Sequence, residues 1–169
     1  MSATRSQPDH RAEVQALCEH VAAHLAIAAA ARELGAAVEE LVVRISDTDV
    51  HEVLAGVGVS PRPDVHDPRD AMPAPVARQL GRRLYRLEAA VDALTPVAGA
   101  AVGVRLLVDL GRTDAVGYYR GLQLRIDAVH EGLPREIADG GSVDWAAQLL
   151  SDRHEQLFTS GVGLERLLA

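Results

Sequence analysis

The chain has no lysine. All 17 of its basic residues are arginine. Schiff-base chemistry and the lysine-dependent phosphate-binding loop are therefore excluded, since each needs an ε-amine. The absence also fits GC-rich coding. Cysteine is nearly absent too: Cys18 stands alone, on an apolar helical stretch. No intramolecular disulfide and no thiolate metal cluster can form, and Cys18 reads as a packing residue. Aromatic residues make up 3% of the chain. Positive charge is not in surplus: the net charge is −7 and the pI about 5.4, which argues against binding nucleic acid through bulk charge. No long hydrophobic run occurs. The stretch from Val21 to Ala31 is apolar, but His24 interrupts it and it is short for a bilayer. The opening residues are polar, with Pro8, Asp9 and His10, and do not read as a signal peptide. The expected location is cytoplasmic.

What is present suits a single domain. Its 169 residues are 48% hydrophobic and 24% charged, ordinary values for a chain with a sizeable core. Residues 1–10 read as a flexible N-terminus. Asp9 is a possible N-cap for a helix from Arg11 to Leu34, closed by Gly35. Val14, Leu17, Val21, Leu25 and Ala28 place one buried stripe on it. Val38 to Ile45 is β-branched and reads as a strand. Ser46-Asp47-Thr48-Asp49 caps a second helix near Val50 to Ala55. Pro61 to Pro75 is a proline-rich loop. A long helix is expected from about Val76 to Leu94, ended by Pro96. Strands follow at Val104–Leu110, Tyr118–Val129, Arg135–Ala138 and Phe158–Ser160. Helices are expected at Val143–Asp152 and Gly163–Leu168. Late, closely connected strands predict an α+β fold, a mainly antiparallel sheet with flanking helices.

Two of the three tyrosines are adjacent, Tyr118 and Tyr119, between Gly117 and Gly121. Each offers a rigid apolar ring and a hydroxyl. Leu122, Leu124 and Ile126 then alternate with Gln123, Arg125 and Asp127, which predicts a half-buried strand with one wet face. On a strand the two tyrosines point to opposite faces, so at most one lines a given pocket. Asp114, Glu136, Asp139 and Asp144 lie near this segment as acid or base candidates. His20 and His24 share a helix face at a spacing that can hold a metal, but no third ligand follows at a sharp spacing. The loop Pro63-Asp64-Val65-His66-Asp67 with Asp70 reads as solvated. No metal site is expected. No Gly-x-Ser-x-Gly nucleophile motif occurs.

Four segments appear in a telling order: Asp109-Leu110; Tyr118-Tyr119-Arg120-Gly121; Gly140-Gly141-Ser142-Val143-Asp144; and Gly161-Val162-Gly163-Leu164-Glu165-Arg166-Leu167-Leu168. Together they resemble the catalytic core of histidyl-tRNA synthetase, and its paralogue, the regulatory subunit of ATP phosphoribosyltransferase. The matching family segments read Tyr-Tyr-Thr-Gly, Gly-Gly-Arg-Tyr-Asp and a motif 3 ending Gly-Leu-Glu-Arg-Leu. Ala12-Glu13-Val14 and Glu39 to Ser46 resemble the helix and strand after motif 2. Residues 47–100 resemble the family's helical insertion, so residues 11–169 resemble a truncated class II domain. The resemblance implies substrate binding at Tyr118, Tyr119, Arg120 and Gly121, and a nucleotide-binding remnant at Gly161, Gly163 and Arg166.

The departures matter as much. The resemblance implies an Arg at position 114 that neutralises the α-phosphate; this chain has Asp114, whose charge repels phosphate. Arg120 replaces the motif's Thr, and Ser142 and Val143 replace its Arg-Tyr. Motifs 1 and 2 and the anticodon domain have no counterpart. The resemblance thus implies a C-terminal half of the catalytic domain, unable to charge tRNA by itself, with no required cofactor and doubtful ATP binding. Half a sheet leaves an open edge, so a homodimer, or a heteromer with a chain supplying the missing half, is expected. Two functions remain open. One is a non-charging subunit that binds an amino-acid-like molecule or completes or regulates a partner. The other is a free-standing enzyme of specialised metabolism with Asp114 as a catalytic residue.

Overall fold

Leu41, Val43 and Ile45 face one side of a strand, and Val42, Arg44 and Ser46 the other. They form β1 (Glu40–Asp47). The computed structural model describes residues 10–113, 117–151 and 157–168. The remaining elements are α1 (Arg11–Glu33), α2 (Thr48–Gly56), α3 (Ala74–Leu80), α4 (Tyr85–Gly99), β2 (Val104–Val108), β3 (Leu122–His130), β4 (Leu133–Val143), α5 (Trp145–Leu150), β5 (Leu157–Val162) and α6 (Leu164–Leu168). Short 3-10 turns occupy Pro68–Ala71 and Gly81–Arg83. The sheet order is β2-β1-β3-β4-β5. β1 and β2 are parallel; β1–β3, β3–β4 and β4–β5 are antiparallel. The α+β expectation holds.

The core lies between α1, α4 and one face of the sheet. Leu17, Val21 and Ala28 of α1 and Leu87, Ala90 and Leu94 of α4 are fully buried, with Leu41, Val43, Ile45, Leu122, Leu124 and Ile126 beneath them. Each large aliphatic side chain so placed contributes about 1.5–3 kcal/mol. At 23 residues, α1 is longer than the apolar run inside it, and by length and composition alone it could cross a bilayer. Its apolar stripe packs on the sheet as that of a core helix does.

Several expectations need correction. The expected cap Asp9 lies outside the described residues, and His10 takes the N-cap position without a side-chain bond. Asp47 caps α2 as foreseen, accepting from the amides of Asp49 and Val50. The long helix after the proline-rich loop is two helices. Gly81, with φ +41°, ends α3, and α4 starts at Tyr85. Pro96 does not end α4. It forfeits one backbone bond near the C-terminus, and the helix runs on to Gly99, closed by the Ala100 amide on the Pro96 carbonyl at 3.1 Å. β4 is far longer than expected and passes straight through Gly140-Gly141.

The face of the sheet away from α1 is not wet. Gln123 and Asp127 are 2% and 1% exposed. Two stretches of chain cover this face: Asp64 with Val65, and Arg112. Val65 makes an isolated bridge with Val108, which shields the outer edge of β2. An ionic ladder replaces solvent. Arg44 binds Asp127 and Asp64, and Arg125 binds Asp127 at 2.9 Å and Glu136 at 3.4 Å. The bond from Arg44 helps hold the Asp64 carboxyl below its ordinary range. Burial satisfied by pairing is what the alternating pattern alone does not reveal.

Candidate functional site

The Tyr-Tyr-Arg-Gly segment is not in the strand. Tyr118 lies in a turn and β3 begins at Leu122, because Gly121 takes φ +75° and redirects the backbone. Gly121 faces inward. Its amide donates to Thr48 Oγ1 at 2.7 Å and its carbonyl accepts from the Thr48 amide at 3.0 Å. A Cβ there would stand 2.5 Å from Glu13 Oε1 and 2.8 Å from an Arg86 nitrogen.

Those two residues anchor the segment from below. Glu13 of α1 is 7% exposed, and its Oε1 accepts from the Leu122 amide at 2.9 Å and from Ser142 Oγ at 2.6 Å. Arg86 of α4 donates to both oxygens of Asp47 at 2.7 Å and to Asp49 at 2.8 Å. It also reaches Glu13 Oε2 at 3.4 Å. Burial alone would lower the Arg86 pKa, but Asp47, Glu13 and Asp49 outweigh it and raise it. Helix α1, helix α4, β1 and β4 thus meet at one ionic knot beneath Gly121. Sequence reading missed Arg86 and Asp47 as site supports. Their partners are 39 residues apart, and no local pattern signals them.

Above the knot is an aromatic corner. Tyr119 is 6% exposed and Tyr118 53% exposed. Their rings meet edge to face at 4.8 Å, and Tyr118 meets Trp145 edge to face at 5.5 Å. The Tyr119 ring lies on Gly141, where a Cβ would come within 2.6 Å of its Cγ. The Tyr119 hydroxyl donates to Asp139 Oδ2 at 3.1 Å, and Arg112 donates to Asp139 Oδ1 at 2.7 Å and to the Leu124 carbonyl at 3.0 Å. Burial and the Asp139 carboxylate push the Tyr119 phenol well above its ordinary pKa of 10. Arg120 and Asp144 form a loose exposed pair at 3.7 Å, and the Arg120 amide donates to the Ser142 carbonyl. Such a surface pair contributes about 0–1 kcal/mol and exchanges partners readily. The expected split of the tyrosines across a strand is therefore replaced by contact: one ring buried, the other open, both on one corner. Trp145 and Arg112 were missed. Trp145 follows Asp144 directly, and as the sole tryptophan it was a readable signal.

The corner has defined chemistry. Aromatic faces with Asp139 and Asp144 suit an ammonium group. The exposed guanidinium fork of Arg120 suits a carboxylate, while Arg112 is engaged by Asp139 and the Leu124 carbonyl. The motif 3 residues stand elsewhere. Gly161 pairs with Asp139 across β4–β5, the Gly163 amide donates to the Ile137 carbonyl at 2.8 Å, and Arg166 reaches the Glu136 carboxylate at 3.9 Å. Asp114 lies outside the described residues. Glu136 belongs to the ionic ladder. His66 Nδ1 lies 3.2 Å from the Leu106 carbonyl, and Asp67 caps a 3-10 turn. Among the described residues no group of three His, Cys, Asp or Glu is placed to hold a metal.

No protein-family model matches the chain, and no curated protein does. Among solved structures, it is similar to the crystal structure of apo histidyl-tRNA synthetase from S. aureus, with a TM-score of 0.51 at 12% sequence identity. The match covers 96% of this chain and 43% of that chain. At that identity the likeness is one of fold. The chain therefore has a mixed α+β fold of the class II tRNA synthetase kind, and it spans less than half the length of the synthetase it resembles.

Proposed function

We propose that the chain is a non-charging, histidyl-tRNA synthetase-like subunit. It binds an amino-acid-like zwitterion at the aromatic corner and completes or regulates a partner chain. It corresponds to the C-terminal half of such a catalytic domain. One observation carries the binding role: three of the five aromatic side chains of the protein, Tyr118, Tyr119 and Trp145, meet beside paired carboxylates and guanidiniums. The ammonium end sits against the rings and Asp139 or Asp144. The carboxylate end takes the fork of Arg120. Tyr119 stays protonated, its hydroxyl bonded to Asp139, and its ring backs Tyr118. No cofactor is required. Arg166 is engaged by Glu136, which disfavours a nucleotide role.

A homodimer or heteromer is supported by the apolar surface beside the corner. Leu149, Leu150 and Leu157 are 84%, 66% and 43% exposed, next to β5 at the end of the sheet. Exposed apolar area at an open strand favours a partner.

Trp145, the only tryptophan, reports the corner by its own fluorescence. Titration with histidine and a panel of other amino acids should change that fluorescence and raise the melting temperature. Tyr118→Ala should weaken the response about two- to fivefold, the loss of one cation–π contact at a half-exposed ring. Silence toward every amino acid at millimolar concentration overturns the binding role. Sedimentation of a stable monomer with little dye binding overturns the partner role.

A further inference from the structure

Ser160 of β5 faces α1. Nδ1 of His20 lies 2.6 Å from its hydroxyl and Nε2 of His24 lies 2.8 Å from it. The two histidines stand one helical turn apart, so a single face of α1 aims both rings at one oxygen. A hydroxyl has one proton to give. With two lone pairs as well, it can accept from one ring and donate to the other.

The far nitrogen of His24 decides which. His24 is 7% exposed, and its Nδ1 has no partner among the described residues. A proton on that nitrogen would be a buried donor left unmet, which is costlier than a bare lone pair. His24 thus carries its proton on Nε2 and gives it to Ser160 Oγ. The Ser160 proton then points at Nδ1 of His20. Burial also lowers the His24 pKa and keeps that ring neutral, in agreement. Phe158 packs against His20 with centroids 5.1 Å apart and fixes its tilt.

β5 ends the sheet, and Ser160 and His20 both keep part of their surface in solvent. Behind Ser160 is the bare backbone of Gly140, where a Cβ would stand 2.5 Å from the Ser160 Cβ. The neighbouring Gly141 supports Tyr119 on the opposite face. This site is therefore separate from the aromatic corner.

We propose that Ser160 is a nucleophile, with His20 as its base and His24 as the donor that orients Oγ, in acyl transfer from small activated esters or thioesters. Oγ attacks the carbonyl carbon. The Oγ–C bond forms while Nδ1 of His20 takes the hydroxyl proton. When the tetrahedral adduct collapses, the C–O or C–S bond breaks and the leaving group receives that proton. Water then repeats the sequence, releasing the acid and restoring the hydroxyl. No electron is gained or lost.

The test uses the full chain with a fluorophosphonate probe, which loses fluoride as the Oγ–P bond forms, and with 4-nitrophenyl acetate. One adduct is expected, mapped to Ser160 by peptide mass, and absent in Ser160→Ala. His20→Gln keeps a hydrogen-bond acceptor but no base, and should slow labelling at least about 100-fold, as loss of a general base does. His24→Ala should slow it about tenfold, as loss of one orienting hydrogen bond does. Circular dichroism and melting curves establish that each variant is folded. Absence of an adduct on Ser160 in the folded protein overturns the proposal. So does labelling that survives Ser160→Ala or is unchanged in His20→Gln. The Trp145 titration reads the other face of the sheet and is decided independently.

Discussion

Arg86 is the residue whose loss should cost most. Its side chain is 13% exposed and faces two carboxylates, Asp47 at 0% and Glu13 at 5%. Replacing Arg86 by Met keeps the bulk and removes the charge. Asp47 then loses two donors at 2.7 Å and is left buried on the capping amides of α2. Glu13 loses its cation but keeps the Leu122 amide and the Ser142 hydroxyl. Asp49 is 61% exposed and returns to water at little cost. Breaking a buried pair from one side costs about 3–5 kcal/mol. A domain of this size is stable by about 5–15 kcal/mol in total. The loss corresponds to a melting shift of about 6–20 °C at about 2–4 °C per kcal/mol.

Urea unfolding followed by circular dichroism measures it. The decisive comparison is a double variant. Asp47→Asn keeps the oxygen that caps α2 and removes the stranded charge. Arg86→Met with Asp47→Asn should therefore be more stable than Arg86→Met alone, with a coupling of about 1–3 kcal/mol. A cost below about 1 kcal/mol for Arg86→Met, or strictly additive effects, would refute the claim that this knot holds the corner together.

Three further outcomes follow from the same geometry. Gly141→Ala should push the Tyr119 ring aside, since a Cβ would stand 2.6 Å from its Cγ; Trp145 fluorescence and ligand response should change while the far-ultraviolet spectrum does not. His24 has its pKa lowered from 6.5 by burial, so the unfolded chain binds more protons just below that value; stability should be full above about pH 6.5 and fall as the pH drops beneath it, and His24→Gln should flatten that part of a melting-temperature profile. Tyr119 has its pKa raised above 10, so stability should fall as the pH climbs past about 10, and Tyr119→Phe should remove the most alkaline tyrosine step in a near-ultraviolet absorbance titration.

The parts legible in the sequence share one property: their cause is local. The α1 stripe, the Asp47 cap and the apolar alternation of β1 and β3 are set by residues within a turn or a pleat of each other. The α+β class followed from these. What was misread has a distant cause. Asp127 looks solvated beside Leu124 and Ile126, and Arg44 from another strand joins the neighbouring Arg125 to make its burial tolerable. Gly140-Gly141 looks like a turn. It is a strand because two side chains, Ser160 on one face and Tyr119 on the other, press where a Cβ would be.

The candidate site divides along the same line. Tyr118 and Tyr119 stand out by rarity and adjacency, so the corner was visible. Its orientation was not, because Gly121 turns the chain under the pull of Thr48, Glu13 and Arg86, each remote in sequence. Ser160 shows the limit most plainly. The glycine-rich segment that follows it carries no nucleophile signature, and His20 and His24 precede it by 140 and 136 positions. Each residue alone reads as ordinary. Only the sheet, by setting β5 beneath α1, brings two unremarkable rings to the oxygen of a third side chain.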